Sequence, residues 1–240
     1  MSTTVEAILF DVNGTLRVRE AHEPTQQAAF ARLHELIDRD VLDWDELTCR
    51  QKAYSDWAQT NLTQLSEAEI WSRWMLPDVP HEQIEPVAAE LTLAWSERKG
   101  HTVPVIDADI TLTALRERRY RLGIISNSMS TLDIPRSLES FGWKDHFDVV
   151  ILSSTLKIRK PSPEPFLEAA RRLNLPAGHC AYVGNRVSKD IVGCKRAGFA
   201  LGLIIEPASG PRLDEQDLTV APDIVIHHLS DLLDIFPARD

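Results

Sequence analysis

Ala7-Ile8-Leu9-Phe10-Asp11-Val12-Asn13-Gly14-Thr15 is the stretch from which the rest of the chain can be read. A short run of apolar residues stops at a carboxylate, and Asn13-Gly14 then supplies residue types that tolerate the unusual backbone angles of a tight turn. This reads as a buried strand that delivers Asp11 at its carboxyl end. Strands buried on both faces belong to parallel sheets covered by helices on either side.

Outward from this strand, the texture from about Glu23 to Lys99 is helical. Phe30, Leu33, Leu36 and Ile37 share one face, Pro77, Pro80 and Pro86 punctuate, and no strand is expected there. After Gly100 helices and apolar runs alternate. The expected helices lie around Ile110–Arg118, Pro135–Phe141, Pro165–Leu173 and Ile191–Ala197. The expected strands are Leu122–Ser126, Val149–Leu152, Ala181–Val183 and Ala200–Ile205, with a last apolar stretch at Ile224–Ile226. Alternation of this kind predicts an α/β fold with a parallel sheet, the helical segment being inserted after the first strand.

The 240 residues carry 26 Lys+Arg against 36 Asp+Glu, a formal net charge of −10, which argues against nucleic acid and against an anionic membrane as partner. With 43% hydrophobic and 26% charged residues the composition is that of a globular protein, not of a disordered or fibrous one. Cys49, Cys180 and Cys194 share no metal-ligand or disulfide spacing. The start, Met1 to Glu6, lacks the basic and apolar pattern of a signal peptide, and no apolar run reaches membrane-spanning length. A cytoplasmic protein acting on a small molecule is expected.

Ligands of open parallel sheets bind at the carboxyl ends of the strands. There the sequence places Asp11-Val12-Asn13-Gly14-Thr15, Ser126-Asn127-Ser128, the segment Lys157 to Pro161, and Gly184-Asn185-Arg186 with Asp190 close behind. A carboxylate, a hydroxyl, an ammonium group and a second carboxylate thus converge on one edge.

Together these four segments resemble the haloacid dehalogenase superfamily, a group of aspartate-nucleophile hydrolases that are mostly phosphatases. Phe10 to Thr15 is similar to the family's first motif, DxDGT, and Ile124-Ile125-Ser126-Asn127 to the second. Ile158 to Pro163 with Phe166 resembles the third, and Val183-Gly184-Asn185 with Asp190 and Ala197-Gly198 the fourth, GDxxxxD. The resemblance implies a Rossmann-like core, residues 1–16 and 104–240, with a helical cap subdomain, residues 17–103. It also implies catalytic residues Asp11, Asn13, Thr15, Ser126 and Lys160. Asp11 would be the nucleophile, Thr15 and Ser126 would donate hydroxyl hydrogen bonds, and Lys160 would supply positive charge to the transition state. Ser126, Asn127, Lys160 and, from the cap, Arg50 are the expected substrate-binding residues. Lys157 and Arg159 are expected to form a solvated basic face. Mg²⁺ would be held by Asp11, Asn13 through its carbonyl, Asn185 and Asp190.

Two positions depart from the phosphatase pattern. Asn13 stands where those enzymes carry the Asp that protonates the leaving group and later activates water, a contribution of roughly 10²–10⁴ in rate. Asn185 replaces the first acid of the fourth motif, which weakens the expected metal site, and Arg186 and Lys189 beside it push the same way. Three readings therefore stand side by side. The first is weak, magnesium-assisted hydrolysis of a small phosphate ester through an aspartyl-phosphate. The second is metal-free attack of Asp11 on a 2-halo acid, whose departing halide needs no proton, with Arg50, Gln51, Lys52 and Tyr54 as candidates to grip the carboxylate. The third is a phospho-ligand-binding protein that has lost turnover.

Five of the six tryptophans, Trp44, Trp57, Trp71, Trp74 and Trp95, lie in the helical segment, where they either pack a small bundle or wall a substrate pocket. The pair His227-His228 lacks companion ligands for a metal.

Overall fold

The computed structural model describes residues 4–37, 43–206 and 220–239; the N-terminal reading above falls partly outside them, at Met1–Thr3. Six strands form one parallel sheet in the order β5-β4-β1-β6-β7-β8. They are β1 (Ala7–Phe10), β4 (Arg121–Ser126), β5 (Val149–Leu152), β6 (Cys180–Gly184), β7 (Leu201–Ile205) and β8 (Ile224–Ile226). The central strand β1 pairs Phe10 with Ile124 on one side and with Val183 on the other. Asp11, Ser126 and Gly184 therefore reach the same edge of the sheet.

Successive side chains of β1 point to opposite faces, and each face is dry. Ile8 and Phe10 join Leu122, Ile124 and Leu112 in one cluster, while Ala7 and Leu9 join Ile125, Phe166 and Tyr182 in the other. The covering helices are α6 (Ala108–Glu117), α7 (Asp133–Ser140), α8 (Ser153–Leu156), α9 (Glu164–Arg172), α10 (Val192–Arg196) and α11 (Leu232–Ile235). The four helices expected here begin and end within two residues of the expectation, whereas the single turns α8 and α11 were not expected. His227 and His228 donate their backbone N–H groups to Asp231 beside the last strand.

Between Glu20 and His101 the described chain is helical. It contains α1 (Glu23–Ile37), α2 (Trp44–Asn61), α3 (Glu67–Ile70) followed by a π turn at Trp71–Met75, α4 (His81–Ile84) and α5 (Ala88–Glu97). Ser66 and Glu69 close a reciprocal capping box at the start of α3, satisfying N–H groups that a helix end leaves open. This segment has its own core, centred on Leu33, Tyr54, Ile70, Trp71, Met75 and Leu91. Trp71 and Trp95 meet edge to face with ring centroids 6.1 Å apart, and the Trp71 indole donates to Thr92 at 2.9 Å. Packing thus accounts for these two rings, and Trp95 also reaches a cavity wall described below.

The sequence reading missed how the insert is fastened. Arg17–Glu20 (β2) and His101–Pro104 (β3) pair antiparallel, Arg17 facing Pro104 and Glu20 facing His101. Neither tetrapeptide has an apolar run; their strand character comes from pairing across a long separation in sequence, which local patterning does not carry.

Candidate active site

Asp11 follows β1, its amide donating to Val183 O at 2.9 Å. Gly14, at φ 80°, turns the chain immediately afterwards. The Asp11 Oδ1 accepts from Ser126 Oγ at 3.0 Å and from Lys160 Nζ at 2.9 Å. No described residue donates to Oδ2, so that oxygen is free to form a bond with an incoming group.

Lys160 is the hub. Its buried ammonium group divides three protons among Asp11 Oδ1, Asp190 Oδ1 at 2.7 Å, Tyr182 Oη at 2.6 Å and Ile125 O at 2.9 Å. Burial by itself would push this ammonium toward neutrality, yet Asp11 and Asp190 hold its pKa above the ordinary lysine value. Burial drives the Tyr182 hydroxyl well above its usual range, helped by Asp190, so it stays a neutral donor to Ile125 O at 2.8 Å. Asn127 clasps the lysine's main chain, donating to Lys160 O at 3.0 Å and accepting from Lys160 N at 2.9 Å. Its amide is therefore a positioning clamp, and Asn127 also lines the cavity over Asp11.

Asp190 is 2% exposed and completely engaged. Its Oδ1 faces Lys160 and Tyr182, and its Oδ2 accepts from the backbone N–H groups of Asn185 and Arg186 at 3.1 and 3.0 Å. Gly184 makes this approach feasible, since a Cβ there would lie 2.4 Å from the Asp190 carboxylate. Asn185 Nδ2 donates to Asn13 O at 3.2 Å.

The residues expected to hold Mg²⁺, Asp11, Asn13, Asn185 and Asp190, leave it few open oxygens. Mg²⁺ is usually held by one or two carboxylates, with water and substrate phosphate completing its six oxygens. Here the Asn13 carbonyl faces an N–H donor of Asn185, Asp190 has no unoccupied oxygen, and Asp11 Oδ2 is the free carboxylate oxygen of the set. Among the described residues no group of three or more acidic, His or Cys side chains assembles to hold a metal.

Asn13 is anchored in a way the sequence did not signal. Arg17, 1% exposed, donates from Nε to Asn13 Oδ1 at 3.0 Å and from its terminal nitrogens to Asp133 and Ser137. Arg19 joins the network through Asp133 Oδ1 at 3.1 Å. With its oxygen taken, Asn13 presents its NH₂ group as a hydrogen-bond donor that no described residue accepts.

A cavity of about 390 Å³ opens over Asp11. Asp11 and Asp190 share its lining with four cations, Arg19, Lys160, Arg186 and Lys189, along with Asn13, Ser126 and Asn185. In a chain of net charge −10 this concentration of positive side chains singles out the cleft.

Three further expectations are corrected. Thr15 is fully buried, its hydroxyl has no partner among the described residues, and it does not line the cavity over Asp11. Arg50 points elsewhere, donating to Met75 O at 2.7 Å and pairing with Glu46 one turn away on α2. Arg159 is not solvated: it is 9% exposed and donates to Gln64 of the insert, whereas Lys157 is exposed as expected. Of the other insert residues considered, Tyr54 is buried, its hydroxyl accepting from Gln64 at 2.6 Å, and Lys52 pairs with Asp56 in solvent. Gln51 alone of that group lines a cavity, the second one described below.

The family model for haloacid dehalogenase-like hydrolases matches residues 5–198. A glyceraldehyde 3-phosphate phosphatase of Methanopyrus kandleri is 25% identical over 234 residues, covering 96% of this chain and 97% of its own. Two solved structures share the fold. A 2-haloacid dehalogenase from Pseudomonas syringae pv. Tomato DC3000 has TM-score 0.70 and 23% identity, with 97% of this chain and 98% of that one covered. A HAD phosphatase from Thermococcus onnurineus has TM-score 0.58 and 23% identity, with 98% and 99% covered. The motifs at the strand ends and the match over most of the chain agree: this protein belongs to the haloacid dehalogenase-like hydrolases.

Proposed function

We propose that this hydrolase acts on a small phosphate ester through an aspartyl-phosphate on Asp11, and that its preferred substrates have leaving groups stable as anions. The observation that carries this reading is the unengaged Oδ2 of Asp11 in a cleft crowded with cations. In the first step Oδ2 forms a bond to phosphorus while the bond to the leaving oxygen breaks, and the leaving group departs with the electron pair. Lys160 and the NH₂ of Asn13 meet the charge on the phosphoryl oxygens. Asn13 has no proton to give, so aryl, enol and acyl phosphates are favoured over alkyl esters. Water then attacks phosphorus and the Asp11–phosphorus linkage breaks. With no carboxylate at position 13 to take the water's proton, this second step is slow and phosphoenzyme accumulates. In this reading the insert, residues 17–103, serves as a cap over the core; relatives named as phosphatases support the phosphatase activity.

The same missing proton favours one competing chemistry, displacement of halide from a 2-halo acid, because halide leaves unprotonated. One panel separates them: phosphate release from aryl, acyl and alkyl phosphates beside halide release from 2-chloropropionate, each with Mg²⁺ and with chelator. The proposal expects phosphate from activated esters, lost in Asp11→Asn, and a mass increase of one phosphoryl group on Asp11 during turnover. Halide release with no phosphate would replace it by the dehalogenase reading, and a strict requirement for Mg²⁺ would show that Asp11 Oδ2 and the Asn13 carbonyl hold the ion despite the Asn185 contact. Tight phosphate binding without either product would leave a binding protein.

A further inference from the structure

A second cavity of about 330 Å³ adjoins the first, sharing Asn13, Gly14, Val18, Arg19 and Asn127 with it. Its far wall comes from the insert: Gln51 of α2, Thr92 and Trp95 of α5, and Arg98 and Lys99 just after α5. The charges here are unequally served. Asp133 is the carboxylate among the described lining residues, and both its oxygens are taken, one by Arg17 and one by Arg19. Arg98 lies over the Trp95 ring with its guanidinium carbon 3.5 Å from the centroid, and of its donors one is used, on Trp95 O. Lys99 has no hydrogen-bond or ion-pair partner for its ammonium group among the described residues, and the buried indole N–H of Trp95 has no acceptor.

Two cations, the half-buried Arg98 and the exposed Lys99, thus stand side by side with no carboxylate of the lining left to pair them. Burial and the neighbouring Arg19 lower the Arg98 pKa to about 10, and burial together with Arg98 and Arg19 lowers that of Lys99. An oxyanion placed between them would relieve both.

We propose that the second cavity is a subsite for a second oxyanion, carboxylate or phosphate, carried on the leaving part of the substrate and gripped by Arg98 and Lys99. This rests on the reading of Asp11 as the nucleophile, since the first cavity then holds the reacting phosphoryl group. The substrate class is accordingly a phosphate ester with a second negative group at its other end.

The test compares three esters that differ at one position: phenyl phosphate, 4-carboxyphenyl phosphate and 1,4-phenylene bisphosphate. Binding is measured by calorimetry to the Asp11→Asn variant, so that turnover is not required, and kcat/KM is measured on the unaltered protein. A terminal anion should tighten binding by about tenfold to a hundredfold, the worth of one or two charge-assisted hydrogen bonds. Whether carboxylate or phosphate gains more identifies the natural end group. The gain should collapse toward unity in Arg98→Gln and fall in Lys99→Gln, while Arg116→Gln, which removes a charge paired with Asp148 away from the cleft, keeps it. No gain from either terminal anion, or a gain that survives both Arg98→Gln and Lys99→Gln, overturns the proposal. If no ester releases phosphate yet the binding gain depends on Arg98, the subsite stands and the hydrolytic reading falls.

Discussion

Lys160 and Arg98 are two cations lining adjoining cavities of one cleft, and their surroundings are opposite. Lys160 is 4% exposed and its three protons are distributed over four oxygens, two of them carboxylate. Arg98 is half-buried, faces an aromatic ring and holds one backbone carbonyl. Satisfied charge of the first kind fixes geometry, and removing it leaves its partners stranded. Unsatisfied charge of the second kind contributes little to the fold and is available to a ligand.

The largest effect that tests this contrast is on the chemistry Lys160 serves. Asp11→Asn should lower phosphate release by roughly 10³ or more, the order associated with loss of a covalent nucleophile, read from single-turnover rates. Lys160→Met comes next: it leaves Asp11 and Asp190 buried without a counter-charge and should destabilise the protein by about 3–5 kcal/mol in denaturant titration. A loss below 1 kcal/mol would show that the cluster is not the rigid element described here.

Asn185→Asp should convert the amide contact on Asn13 O into an oxygen ligand. Mg²⁺ at a hundredfold excess over its Kd would then stabilise that variant by about 2.7 kcal/mol, seen as a rise in Tm, while the unaltered protein shows none. An equal rise in both would put a metal back in the site. Asn13→Asp, the reversion to the phosphatase pattern, should speed phosphoenzyme breakdown, which needs a base, yet raise phosphate release from alkyl esters, whose leaving group needs a proton, by less than about tenfold, short of the 10²–10⁴ that a free general acid gives. The reason is Arg17: its Nε, 3.0 Å from the side-chain oxygen, would keep the new carboxylate ionised and unable to donate a proton. The smallest effect is on stability at Arg98, where Arg98→Gln should change the unfolding free energy by no more than about 0.5 kcal/mol. A loss comparable to that at Lys160 would erase the distinction between the two cations.

Much of this site was legible before any coordinates. The apolar run Ala7–Phe10 reads as a buried strand, and the strand-end logic then located Asp11, Ser126, Lys160, Asn185 and Asp190 on one edge. What escaped were features set by partners distant in sequence. Arg17 carries no signal of its own in the sequence, and its role comes from Asp133 and Ser137, which close around it. Arg159 sits in a basic tripeptide that looks solvated, and Gln64 buries it. Arg50 shares a helix face with plausible ligands, but a nearby Glu46 and the Met75 carbonyl capture it first. Thr15 fails for the converse reason, since the tight turn at Gly14 rolls its hydroxyl into the interior.

The β2–β3 ribbon has a consequence for how variants of this protein tolerate change in length. Arg17 is both the first residue of β2 and the anchor of Asn13, and its turn is closed by hydrogen bonds from Gly14 N to Arg17 O and from Arg17 N to Val12 O. One residue gained or lost between Gly14 and Arg17 would shift the ribbon's register and pull the anchor off Asn13 together, whereas the described distal helix connections touch neither. The far end of the insert is thus free to be rebuilt for another ligand, while its attachment is locked to the reacting centre.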